Sequence, residues 1–134
     1  PFRDIKIDYQ NAWNKQHFKA LVSNYKRSPY FEYYEADREQ VFNTNSVFLV
    51  DYLIRINEWV KKQLKANWVV IEINTPISPR TFDPWIPKNY DQIPNPIIYQ
   101  QVFEEKTGFL PNLSILDLLF CCGGRQASAL LMPS

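Results

Sequence analysis

One histidine, two adjacent cysteines, an aspartate inside an apolar run and a tyrosine-rich patch carry most of the chemical capacity of this 134-residue sequence. His17 is the only histidine, four residues after Trp13 and beside Phe18. Imidazole is the side chain best suited to moving a proton near neutral pH. No partner is visible in the sequence, and the helical setting reads as a half-buried histidine satisfied by a neighbour. Cys121 and Cys122 are adjacent, which is neither a disulfide framework nor a metal-ligand spacing. They read as small core residues, because a nucleophilic thiol needs an electropositive setting and only Arg125 is near. Asp117 lies in TGFLPNLSILDLLFCCGG, residues 107–124. Ser114 and Asp117 are spaced as a capping box, with Leu113 and Leu118 at the staple positions, so capping accounts for the aspartate.

The tyrosines of SPYFEYY, residues 28–34, offer faces for a sugar or a base, but their helical spacing puts them in the core. Glu104 and Glu105 are neighbours that face different directions on a helix, a solvated surface and not an acid–base pair. The three glycines are Gly108, Gly123 and Gly124, so no glycine-rich phosphate loop exists before residue 108. CCGGRQ lacks the lysine and spacing of a Walker loop.

The elements that must position these groups are mainly helical. Apolar residues make up 46% and aromatics 16%, enough for one domain with a real core. With 15 basic and 14 acidic residues the net charge is +1, too balanced to favour nucleic acid as a partner. No apolar run reaches membrane-span length, and no secretory signal pattern opens the chain, so the expectation is a cytoplasmic protein without membrane contact. The start at Pro1 suggests a trimmed or partial chain.

The pattern predicts a short strand in DIKIDY and a helix over 11–27 with Asp8 as its cap. A second helix follows, capped by Ser28 with Pro29 in its first turn. The strongest helix runs over about 47–65, with a stripe of Leu49, Leu53, Ile56, Val60 and Leu64 and lysines at its C-terminal end. NWVVIEIN, residues 67–74, reads as the best strand. Six prolines between Thr75 and Pro96 make 75–96 a proline-rich internal segment, pinned by its aromatics. A helical hairpin closes the chain: Ile97–Thr107, a stop at Gly108, then a helix from Ser114 ending at Gly123. The expected fold class is α+β, predominantly helical with a few short strands, in a single domain over 1–134.

Three stretches resemble one family: IDY…W.KQHF…SNYKRSPYFEYY, then FLVDYLIRINEWV, then YQQVFEEKTGFLPNLSILDLLF. Together they look like the WbqC-like proteins of bacteria, over about Ile5 to Phe120. The resemblance implies the C-terminal part of a longer pattern, because family members begin with a His-Gln-Pro-type motif and a further α/β portion. The chain also departs from the family after LLF, where it reads CCGGRQASALLMPS. The family's members occur in gene clusters for surface polysaccharide and O-antigen synthesis. The implied activity is transfer of an acyl or aminoacyl group onto a nucleotide-linked sugar, which makes that sugar or the acyl donor the expected partner. The alternative is a non-catalytic binding or scaffold protein of the same pathway. No cofactor is specified. Carried over by motif position, the substrate-binding candidates are His17, Tyr34, Tyr99, Asn112 and Asp117; no catalytic residue is assigned.

Overall fold

The structure, a computed structural model, describes residues 2–42, 44–69 and 95–132. The described part is helical. A 3-10 turn, Phe2–Asp4, precedes α1 (Trp13–Tyr25), α2 (Phe31–Phe42), α3 (Leu49–Leu64), α4 (Glu104–Thr107) and α5 (Ile115–Leu131). The expected α+β class is therefore corrected. Where DIKIDY was expected as a strand there is one isolated antiparallel bridge, Lys6 to Phe48. Ile7 N–H donates to the Val47 carbonyl at 3.0 Å, and Leu49 N–H to the Ile5 carbonyl at 2.9 Å. With no further strand among the described residues, these two bonds make a clamp on the start of α3, not a sheet. Of the second expected strand, Asn67–Val69 has no regular structure, and the remainder lies outside the described residues, as does most of the 75–96 segment.

Helix limits follow local chemistry, with three departures. Asp8 does not cap α1: its carboxylate accepts from the Gln10 N–H at 2.8 Å and so closes a turn. Ala12 holds the N-cap position with φ 46° and no side-chain bond. Ser28 is buried and donates its hydroxyl to the Tyr25 carbonyl at 2.6 Å, tying the end of α1 to the start of α2. The first helix of the closing hairpin shrinks to the four residues of α4, after which Gly108 takes φ 71°. A four-residue helix has few internal bonds. Gln101 instead holds this loop, donating to and accepting from the Leu110 backbone at 2.7 and 2.9 Å.

The core lies where α2, α3 and α5 meet, with α1 on its flank. Phe31 and Tyr34 of α2, Trp59, Val60 and Leu64 of α3, and Leu118, Leu119 and Phe120 of α5 are buried. The buried stripe of α3 is rotated from its expected path. Tyr52 and Trp59 are buried while Leu53 is 44% exposed. Large rings fill the space between helices better than a leucine one position away. Phe120 is its centre, with edge-on contacts to Phe31 at 5.4 Å and Tyr25 at 5.1 Å.

Candidate functional site

Two sites are built on opposite sides of α5. The first begins with a backbone defect. Gly123 has φ 73° and ψ 162°, so α5 breaks and restarts at Gly124. In an uninterrupted helix the Gly124 N–H would donate to the Phe120 carbonyl. Here α2 and the residue just before it take both halves of that lost bond. The Tyr30 N–H donates to the Phe120 carbonyl at 3.0 Å, and the Gly124 N–H donates to the Tyr34 hydroxyl at 2.7 Å. Both glycines are required by close approach. A Cβ on Gly123 would lie 2.8 Å from the Tyr30 ring, and one on Gly124 would run into the Gln63 carbonyl oxygen at the end of α3.

Around this break a cleft of about 720 Å³ opens between α2, α3 and α5. Tyr30, Tyr33 and Tyr34 form its aromatic wall; Lys62, Lys65 and Arg125 are its cations. None of the described residues lining it is a carboxylate or a histidine. Tyr33 is 77% exposed, its ring edge-on to Tyr34 at 4.9 Å. Burial raises the Tyr34 hydroxyl above its ordinary range, with the Gly124 N–H opposing. Tyr34 stays protonated at neutral pH and serves as a strut.

The second site is a buried carboxylate. Asp117 is 3% exposed and accepts a 2.6 Å hydrogen bond from the Tyr99 hydroxyl. Tyr25 donates to the same carboxylate from α1. Burial first, then the neighbouring carboxylate, pushes both tyrosines well above the usual phenol range. Burial and Asp117 also push the Cys121 thiol up to about 12, and burial raises Cys122. These thiols are held protonated, the reverse of nucleophile activation. The capping-box expectation is half right. The Ser114 hydroxyl accepts from the Leu116 N–H at 3.2 Å and caps α5, while Asp117 turns inward and latches α1 and the 97–103 segment to α5.

Beside the latch is an apolar pocket of about 260 Å³, lined by Tyr99, Asn112, Leu113 and Leu118 among others. Asn112 takes φ 57°, a left-handed position that asparagine tolerates better than most residues. The five candidates thus divide. Tyr99, Asn112 and Asp117 come together around this pocket and latch, and Tyr34 stands at the cleft. His17 joins neither: it is exposed on α1, edge-on to Trp13 at 5.3 Å, not half-buried. Lys62, Lys65 and Tyr33 were not singled out as site residues by sequence reasoning. The signal was present in the Gly-Gly pair followed by an arginine inside an apolar run.

Fold and site together define a helical protein whose α5 is broken to shape a tyrosine-walled, cationic cleft. The sequence model of the WbqC-like protein family matches residues 1–81. That is more than half of the chain, which therefore belongs to the WbqC-like family. The matched span holds the first two resembling stretches and leaves the third, 99–120, outside. The match lies in the N-terminal part of this chain. No curated protein and no solved structure matches the chain. Among the described residues no helix is long and apolar enough to cross a membrane.

Proposed function

We propose that this chain acts in bacterial surface-polysaccharide biosynthesis, binding a nucleotide-linked sugar as the acceptor for an acyl or aminoacyl group. Membership of the WbqC-like family supports the pathway. The observation that carries the ligand class is the cleft at the α5 break: an aromatic wall and three cations, with no carboxylate among the described lining residues. Such a lining attracts acidic groups and suits an anion with an aromatic part. A second reading is a non-catalytic binding or scaffold protein of the same pathway. It is favoured by the lack, among the described lining residues, of a histidine or carboxylate to accept the proton of an acceptor amine.

A thermal-shift panel of nucleotides, sugar nucleotides and acyl-CoA compounds tests the binding part. A ligand at 100 times its Kd adds about 2.7 kcal/mol. For a chain of this length that raises Tm by roughly 10 °C. A stabilising sugar nucleotide whose mass increases on incubation with an acyl or aminoacyl donor supports transfer. Stabilisation without a mass change moves the weight to the scaffold reading. A flat panel from a well-folded protein removes the nucleotide-linked sugar from both.

A further inference from the structure

We propose that the cleft grips the nucleoside-diphosphate half of its ligand: Lys62, Lys65 and Arg125 hold the diphosphate and Tyr33 stacks on the base. The inference rests on the nucleotide-linked-sugar reading and deepens it, since it says which part of the molecule supplies the affinity. Lysines at a helix C-terminus are common, and the bland account of Lys62 and Lys65 is that they complement the α3 dipole. Two features exceed that account. The cations come from two elements whose separation is fixed by backbone contact. Gly124, which has no Cβ to fend off the Gln63 carbonyl, sets Arg125 beside the turn that carries Lys62 and Lys65. Among the described residues none of the three has a carboxylate partner. The recorded ion pair at this end of α3 is Lys61 with Glu58, at 3.9 Å, and neither residue lines the cleft.

The aromatic wall is divided in its duties. Tyr34 is committed to Gly124, and the Tyr30 ring fills the space above Gly123. Tyr33 meets Tyr34 edge-on and otherwise leaves its ring 77% exposed at the cleft. A base has a π-face of any identity to lay on it, so stacking there is tolerant of the base. A diphosphate brings the anionic charge that three convergent cations match, with Arg125 able to make paired hydrogen bonds to phosphate oxygens. Exposed cations are screened by salt, so the grip weakens as ionic strength rises. A free nucleoside diphosphate therefore competes with the sugar-linked form for the same cleft.

Titration calorimetry on the full chain tests this with uridine, thymidine and guanosine diphosphates and UDP-glucose, at low and high sodium chloride. The expected result is comparable affinity for a free diphosphate and its sugar-linked form, falling as salt rises. The double variant K62Q/R125Q loses affinity for both by about ten-fold or more, since charge-assisted hydrogen bonds are removed. Y33A weakens both, by about five-fold or more. K61Q removes the same charge from the same helix end outside the cleft and leaves affinity within two-fold, roughly the size of an exposed-charge effect. Lys62, Arg125 and Tyr33 are exposed and Lys61 is half-buried, and thermal melts check that the variants fold. UDP-glucose binding without diphosphate binding overturns the inference while the nucleotide-linked-sugar reading stands. So does binding that K62Q/R125Q leaves unchanged. If no nucleotide of either kind binds the folded chain, both fall together.

Discussion

Replacing Tyr99 by phenylalanine removes one oxygen from the interior and tests the Asp117 latch directly. The carboxylate is 3% exposed and accepts from Tyr99 at 2.6 Å, a short charge-assisted bond. The ring of Tyr99, edge-on to Phe109 at 6.3 Å, keeps its apolar contacts in the variant. What is lost is one donor to a buried charge, worth about 1.5–3 kcal/mol net. Tyr25 remains as a donor, which argues for the middle of that range, about 2 kcal/mol. For this chain length the expected drop in Tm is roughly 7 °C. Thermal and urea denaturation of Y99F, D117N and the double variant form a cycle, and the expected coupling is about 1 kcal/mol or more. If Asp117 served the helix start alone, Y99F would leave Tm within about 1 °C and D117N would cost only a few tenths of a kcal/mol. That outcome, or additivity in the cycle, refutes the latch.

Cys121 is held protonated with its thiol pushed up to about 12 from an ordinary 9.0, so iodoacetamide at pH 8 should alkylate it about a thousand-fold more slowly than after unfolding. Equal rates by mass spectrometry would refute its setting. Tyr25, Tyr99 and Cys121 all bind their protons more tightly folded than unfolded. Their contribution is full below the ordinary values of 9.0 and 10.0 and is lost as pH climbs toward the folded values, so Tm should fall steadily above pH 9. Gly124→Ala drives a methyl into the Gln63 carbonyl and toward the Tyr34 hydroxyl, and should destabilise by about 1–3 kcal/mol. An unchanged melt would mean that α3 and α5 do not meet there. His17→Ala, at an exposed position outside both sites, should change stability by less than about 0.5 kcal/mol and leave nucleotide binding intact. Loss of binding would return His17 to the site.

Helix existence was legible because it depends on local pattern. α1, α2 and α3 lie within a few residues of their expected ends, and Ser114 caps α5 as its sequence signature predicts. The failure of the first expected strand was not legible. β-branched alternation states what a segment tolerates, while a strand exists only if another is placed beside it, and among the described residues DIKIDY meets only the two bonds that flank Phe48. The same limit held for individual side chains. Asp117 satisfied a capping rule on paper, yet Tyr99 and Tyr25, from segments 18 and 92 residues away in chain order, offered hydroxyls that a buried carboxylate cannot refuse.

The sequence by itself determined a helical chain with a core of aromatics, a nearly neutral surface, no glycine-rich phosphate loop and a resemblance to the family its first 81 residues match. Tertiary structure alone decided where the sites are. SPYFEYY divides between core and cleft, Phe31 and Tyr34 inward and Tyr33 outward, because α5 breaks at Gly123 and α2 and the residue just before it take up the bond that the break releases. Gly123, read from sequence as a helix end, becomes with Gly124 the junction of three helices, since the space a missing Cβ leaves is visible only once the neighbouring backbone is in place.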